Sequence, residues 1–426
     1  MRAQRQSFKK GWCPGVRRPM ETGDGQIVRI RPRGGRLLAT DLAEIAKLAR
    51  LHGNGLIDLT RRANVQMRGL TPESFPALVS DLDRLGLADE TEAAEAARNV
   101  MVNPLTGLDP AEVMDVRALA RALEEMLSGR AGGFRLSGKF GFIVDGGGCF
   151  SLDGERADIR IRAVGSGDRP RVAIGLDRAG GALWLRLVEP EQVLSAVECL
   201  IHAFVALTEE FGDVRMAEVP EHVAHALVRA IEGFGEPAGA LKFARTNTQK
   251  TLGAIVLDDG SAVVGLAAPF GRVEAEDLLA VAECAIAVGA SEFRVSPWRS
   301  FYVPVPDQQA AQHLSVFAGA HGFLLDADEP LLAIDACPGS PACASASVDT
   351  RAAARALAPV LAQIGCASAH VSGCSKGCAR SKPADLVLVG ESGQFRVVRN
   401  DTVGGSTVGY LSPDNIQNLV ALWRVV

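Results

Sequence analysis

From Gln26 to Arg31 apolar and polar residues alternate, which predicts a β-strand entered through the turn Gly23-Asp24-Gly25. Leu42, Ile45, Ala46 and Ala49 then recur at helical spacing, so Asp41 to His52 is expected as a helix that Gly53 ends. Leu56 to Thr60 reads as a second strand. Farther along, Asp158 to Ala163 and Arg171 to Gly175 have strand character, and Glu191 to Phe211 has helical character. Asp349 to Gln363 predicts another helix, followed by a strand from Ala367 to Ser372. The acidic run from Asp81 to Glu95 reads as a solvated helix face or linker. The stretch Val144-Asp145-Gly146-Gly147-Gly148 lacks the Gly-Lys-Ser/Thr ending of a phosphate loop and predicts a hairpin turn.

The pattern repeats. GRLLATDLAEIAKLARLHG from Gly35 lies over GRVEAEDLLAVAECAIAVG from Gly271, matching Arg36 to Arg272, Asp41 to Asp277 and Gly53 to Gly289. The following strands, Leu56 to Thr60 and Glu292 to Ser296, then coincide. A second repeat is nested with the first: DVRALARAL from Asp115 resembles DTRAAARAL from Asp349, and Leu136-Ser137-Gly138-Lys139 falls opposite Val371-Ser372-Gly373-Cys374. The chain therefore reads as A–B–A′–B′, an α+β architecture with pseudo-two-fold symmetry. The expected units are 1–80 (A), 81–245 (B), 246–312 (A′) and 313–426 (B′), with GFGEPAGA from Gly233 marking the return to A′.

Length and composition add bounds. A chain of 426 residues has room for about three domains. With 47% apolar and 22% charged residues it fits an ordinary soluble globular protein, and with no run of about 18 apolar residues no membrane partner is expected. The N-terminus has no apolar signal core, and nine cysteines suit a reducing cytoplasm better than a disulfide framework. The net charge of −5 hides a basic N-terminal arm, Arg2 to Arg36. With an acidic overall balance and only four Trp and two Tyr for stacking, that arm points away from nucleic acid and toward an acidic small molecule.

The densest chemistry lies between Ala336 and Lys382. Cys337-x5-Cys343 and Cys374-x3-Cys378 occupy two loops of Gly, Pro, Ser and Ala, separated by the predicted helix and strand. Four thiolates that converge, in loops whose small residues admit backbone N–H groups, suit a [4Fe–4S] cluster. A structural zinc also takes four thiolates but usually shows two-residue gaps within each pair. Cys199 and Cys284 fall in apolar helical runs and are expected as core thiols; Cys13 and Cys366 lie outside the paired pattern. His222 and His225 share one face of a helix that is expected to be half-buried. Arg62, Arg68, Arg98 and Lys139 stand at element ends, where guanidinium forks and an ammonium suit carboxylates. Gln66 and Asn64 are placed to orient an oxygen ligand or to cap a turn.

These motifs resemble the sulfite and nitrite reductase superfamily over essentially the whole chain. The residues that carry the resemblance are the two cysteine pairs, Thr60-Arg61-Arg62-Ala63-Asn64-Val65-Gln66, Arg98-Asn99-Val100 and Lys139-Phe140. The resemblance implies ferredoxin-like half-domains pairing centrally. It implies a [4Fe–4S] cluster on Cys337, Cys343, Cys374 and Cys378, with Cys378 next to a tetrapyrrole. It further implies Arg62, Arg98 and Lys139 as catalytic cations and Arg62, Gln66, Arg68, Arg98 and Lys139 as the tetrapyrrole-binding set. Gly141 replaces the second lysine of the reductases' oxyanion cage, which weakens the case for sulfite. GWCPGVRRPMETGDG from Gly11 points instead to the branch of oxygenases in aerobic cobalamin synthesis. That resemblance implies an iron–sulfur monooxygenase converting precorrin-3A to precorrin-3B by macrocycle hydroxylation and lactone formation. Dioxygen and an electron donor, an NADH-linked reductase or a ferredoxin, would be partners, and a mononuclear non-haem iron a further cofactor. The alternatives are a sirohaem-dependent sulfite or nitrite reductase and a non-catalytic tetrapyrrole or cluster carrier.

Overall fold

The structure is a computed structural model that describes residues 12–129, 134, 136–165, 169–178, 180–211, 214–239, 241, 243 and 251–425. The expected junction at 245/246 and the basic residues Arg2, Arg5, Lys9 and Lys10 lie outside the described residues.

Four sheets carry the fold. In the first, Gly25–Ile30 pairs antiparallel with Val65–Leu70, and Val65–Leu70 with Leu56–Leu59. The third sheet repeats this with Ala262–Ala267, Ser300–Val305 and Glu292–Val295. Each half lends the other a short strand. Arg272–Glu274 closes the edge of the first sheet against Leu56–Leu59, and Arg36–Leu38 closes the edge of the third against Glu292–Val295. The helices behind the two sheets, Ala39–His52 and Ala275–Ala287, bury small and aliphatic faces in one core that holds Leu42, Ile45, Ala46, Leu278, Val281 and Ala282. The pairing of A with A′ expected from the repeat is thus realised by strand exchange, which leaves neither edge open.

Backbone detail repeats as well. Gly34 and Phe270 share a left-handed conformation (φ 58° and 57°), as do Ala63 and Arg299 (φ 53° and 60°), at matching turns of the two halves.

The second and fourth sheets flank this centre. Val100–Val102, Phe142–Asp145 and Ile159–Val164 run parallel in the second sheet, and Ile334–Ala336, Ala369–Ser372 and Ala384–Glu391 run parallel in the fourth. This register corrects two expectations. Phe142 pairs with Val100 as Ala369 pairs with Ile334, so Gly146 and Gly147 occupy the places of Gly373 and Cys374. The Ser-Gly match that set Lys139 against Cys374 was compositional; Lys139 precedes its strand and lies at the opposite end of the sheet. The 144–148 stretch is likewise no hairpin, because the strands it joins are parallel and need a crossover.

Other expectations also shift. Asp89 and Glu95 are buried at 3% and 2% exposure rather than solvated, because arginines from two elements converge on them. Cys199 is exposed, off the apolar stripe of its helix, whereas Cys284 is half-buried and packs against the edge of the central core. His222 and His225 both face solvent. The stretch Pro190–Thr208 is long and apolar enough to cross a membrane by length and composition alone. Here Val193, Val197, Leu200 and Phe204 pack it into the core behind the second sheet.

Candidate functional site

The first sheet buries Val28, Ile30, Val65 and Met67 against its helix. Alternation therefore turns Arg29, Gln66, Asp58 and Arg272 to the other face, and the strand register sets them in one row across four strands. Arg29 donates two hydrogen bonds to Gln66 Oε1, at 3.0 and 2.8 Å. Burial pushes the Arg29 guanidinium down to about 10, and neighbouring Arg31 and Arg62 push the same way against the opposing pull of Cys13. In the third sheet the same register positions hold Gly265, Tyr302 and Arg294, and fully buried Tyr302 packs with Val263 and Leu105. The second half thus replaces the Arg29–Gln66 pair by Gly265 and buried Tyr302, and turns its Arg294 to Glu292 and to the carbonyls of Pro104 and Thr106.

At one end of the row stands the Lys139 loop. Arg62 Nη1 donates to the Lys139 carbonyl at 2.9 Å. Asn99 Nδ2 donates to the carbonyls of Gly138 (3.3 Å) and Phe140 (3.1 Å), and its Oδ1 accepts from Arg31 Nε at 3.1 Å. Arg98 Nη2 donates to the Arg31 carbonyl at 3.0 Å. Arg62, Arg98 and Lys139, far apart in sequence, therefore meet in one network whose hub is Asn99. Their electrostatics differ. Arg98 is sealed against Asp89 (2.8 Å) and Glu124 (3.5 Å) and is held above its ordinary value. Burial lowers the Arg62 guanidinium, and Arg215 and Arg31 lower it further, leaving it the less compensated charge.

At the other end Arg68 pairs with Asp24 at 2.6 Å and Asp58 at 3.1 Å. Asp58 also takes Arg272 at 2.6 Å and lies 3.9 Å from Arg351, so one buried carboxylate serves three arginines. Here the cysteine loops arrive: Gly23, in the turn before Gly25–Ile30, abuts the backbone of Cys343 and Ala344.

The cysteines follow the ends of two parallel strands, Ile334–Ala336 and Ala369–Ser372. Cys337 is buried, Cys343 and Cys374 are half-buried, and Cys378 opens to the surface. Partial burial raises the Cys378 thiol, and Cys374, Cys337 and Cys343 all raise it further. Cys378 thus stands within electrostatic reach of the other three thiols. The Gly373 N–H already donates to Cys337 Sγ at 3.2 Å, the N–H···S contact that stabilises thiolate ligands. A Cβ at Gly373 would meet that of Ala346 at 2.6 Å, and Gly377 is left-handed at φ +63°, so both glycines are steric requirements of the second loop. This donor set fits an iron–sulfur cluster. Cys366 is buried beside the same strand in the fourth sheet's core, its thiol pushed up to about 11 by burial. Among the described residues no group of three or more His, Cys, Asp or Glu side chains, the four cysteines included, is gathered closely enough to hold a metal ion.

Sequence patterning named Arg62, Gln66, Arg68, Arg98, Lys139 and the four cysteines, and passed over Arg29, Arg31, Asn99 and Arg351. The signal for the first two was present: they alternate with buried Val28 and Ile30 on one strand. Asn99 stood in the Arg98-Asn99-Val100 motif without a role of its own and Arg351 carried no signal, since both roles depend on which elements meet. Cys13, outside the paired pattern of the cluster cysteines, lies within the charge field of Arg29, Arg31 and Arg62.

Known proteins agree with this architecture. The family model described as the nitrite/sulfite reductase ferredoxin-like half domain matches residues 18–85. A precorrin-3B synthase from Sinorhizobium sp is 32% identical over 423 residues, covering 99% of this chain and 89% of the relative. A ferredoxin–nitrite reductase from Synechococcus elongatus is 27% identical, covering 90% and 80%. The solved structure of the NirA protein of Mycobacterium tuberculosis superposes with a TM-score of 0.70 at 19% identity, covering 94% of this chain and 80% of its own. Fold and site thus define a member of the nitrite/sulfite reductase superfamily, built on the duplicated half-domain plan, and an oxidoreductase. Within it, the chain belongs to the precorrin-3B synthase family.

Proposed function

We propose that this enzyme is an iron–sulfur monooxygenase that converts precorrin-3A to precorrin-3B in aerobic cobalamin synthesis, hydroxylating the macrocycle and forming its lactone. The observation that carries the proposal is the cationic row over the first sheet, which runs from the Lys139 loop to the cysteine loops. A macrocycle edged with carboxylates needs fixed cations along its length, since charge-assisted pairs offset the cost of desolvating each carboxylate.

Arg62, Lys139, Arg29 and Gln66 are assigned to the substrate. Arg98 and Arg68 are positioning residues on this reading: their charges are met by Asp89, Glu124, Asp24 and Asp58, and they hold the Lys139 loop and the cysteine side of the row in place. Cys337, Cys343, Cys374 and Cys378 would hold a [4Fe–4S] cluster, which when bound supplies single electrons received from a reductase or ferredoxin. Dioxygen supplies the inserted oxygen.

Gly141 favours oxygenation over sulfite or nitrite reduction. A Cβ there would make only ordinary contacts, with Asn99 O at 3.5 Å, Lys139 O at 3.9 Å and Arg62 Nη1 at 4.0 Å. A lysine at that position would set a second cation beside Arg62; glycine leaves space. The test is turnover of precorrin-3A under isotopically labelled dioxygen. One labelled oxygen in the product is expected, with no sirohaem bands in the visible spectrum of anaerobically purified protein. Turnover without dioxygen, or stoichiometric sirohaem with sulfite or nitrite reduction, would overturn the reading.

A further inference from the structure

A cleft of about 340 Å³ opens on the far side of the Arg61-Arg62 turn from Lys139, between the turn that carries Trp298 and Arg299 and the strand Ile334–Ala336. Its polar lining is unbalanced. Asp335 accepts a hydrogen bond from Arg61, another from Arg380 at 3.2 Å, and lies 3.6 Å from Arg299. Burial by itself would raise this carboxyl, but the three arginines outweigh it and hold it below its usual range. Glu155 also lines the cleft, so three guanidiniums face two carboxylates. Arg299 is the least satisfied: it is four-fifths buried, and its one ion pair is the distant contact with Asp335. Its guanidinium is lowered by burial and then by Arg61.

Two further features mark the place as built. Arg299 sits at φ +60°, whereas the matching turn of the first half spends the same left-handed position on Ala63. The left-handed turn is thus common to both halves, and the second half is the one that places a guanidinium on it. Behind Asp335, directly across the parallel register, His370 is fully buried with neither ring nitrogen hydrogen-bonded. The wall opposite the arginines is apolar, made by Trp298, Phe270, Leu331 and Leu332.

We propose that this cleft binds a small carboxylate-bearing ligand with an apolar, planar body, its carboxylates on Arg61, Arg299 and Arg380 and its body against Trp298 and Leu332. The volume falls at the low end for ligand pockets and admits one small molecule or one edge of a larger one. Arg380 lies two residues beyond Cys378, so occupancy is positioned to be felt by the second cysteine loop. The same carboxylate chemistry has two sources. One is a free small polycarboxylate. The other is a carboxylate arm of a tetrapyrrole seated on Arg62, the residue next to Arg61. The proposal does not depend on which reaction the enzyme performs.

The test is calorimetric titration of the anaerobically purified holoenzyme with benzene-1,2,4-tricarboxylate, with Trp298 fluorescence as a second readout. One equivalent should bind. Arg299→Gln and, independently, Leu332→Glu should each weaken binding at least tenfold, while Arg62→Gln should leave it within twofold. Leu332 is half-buried on the wall and offers a folded variant should Arg299→Gln unfold, which a melting curve shows. Uroporphyrin then separates the sources: simultaneous binding identifies a free ligand, and mutual displacement identifies a tetrapyrrole arm. No binding to the wild-type protein, or binding unchanged in both Arg299→Gln and Leu332→Glu, overturns the proposal.

Discussion

Removing the side chains of Arg62 and Arg98 should separate substrate binding from stability. Both residues touch the Lys139 network, but their charges are met differently. Arg98 has 2% side-chain exposure and faces Asp89 and Glu124, themselves 2% and 3% exposed. Arg98→Ala would leave buried Glu124 without its ion-pair partner and Asp89 with Arg33 alone, and breaking a buried pair in this way costs about 3–5 kcal/mol. Arg62 donates to a neutral carbonyl and is crowded by other arginines. Losing that charged hydrogen bond costs about 1.5–3 kcal/mol, partly offset by the repulsion relieved, so the net loss in Arg62→Ala should be about 1 kcal/mol. Binding should show the reverse order. Truncating one partner of a desolvated charge pair costs about 2–5 kcal/mol, roughly 30- to several-thousand-fold in Kd. Urea unfolding of both variants and quenching of uroporphyrin fluorescence measure the two quantities. Equal destabilisation of the two variants with unchanged porphyrin binding in Arg62→Ala would refute the division of roles.

Other outcomes follow from the same geometry. Cys374→Ser should lose iron and acid-labile sulfide, whereas Cys199→Ser, exposed on its helix, should retain both; full cluster content in Cys374→Ser would refute the ligand assignment. Asp89 has a depressed folded pKa because Arg98 and Arg33 outweigh its burial. Its contribution is therefore complete above the ordinary aspartate range and lost as pH falls through the folded value. Asp89→Asn should be less stable than the parent at neutral pH, with the gap closing in acid, as denaturant midpoints across pH would show. Gly141→Lys should bind sulfite more tightly at the cost of a lower melting temperature, because the new ammonium joins Arg62 and Arg215 in a buried place; unchanged sulfite binding in the folded variant would refute the part given to Gly141.

The chain's own order of residues determined a good deal. The strand alternation that buries Val28 and Ile30 dictates that Arg29 and Arg31 share the opposite face, and the 35–53 and 271–289 repeats required two like halves. The cysteine spacing, in loops of small residues, already pointed to an iron–sulfur donor set. These properties are local: periodicity, turn chemistry and short-range spacing are set by neighbours along the chain. What the sequence could not decide depends on which elements meet. The exchange of Arg36–Leu38 and Arg272–Glu274 between halves is a choice between chemically similar sheet edges, settled only when both sheets exist. The acidic run around Asp89 and Glu95 read as solvated because its arginine partners lie on other elements. Lys139 was set opposite Cys374 by a matching Ser-Gly, and only the parallel register moved it to the other end of its sheet. Above all, the sequence marked Arg62, Arg68 and Arg98 as similar cations. A guanidinium's role depends on whether a carboxylate of the protein already meets its charge, and the tertiary structure alone brings such carboxylates into ion pairs with Arg68 and Arg98 while Arg62 donates to the carbonyl of Lys139.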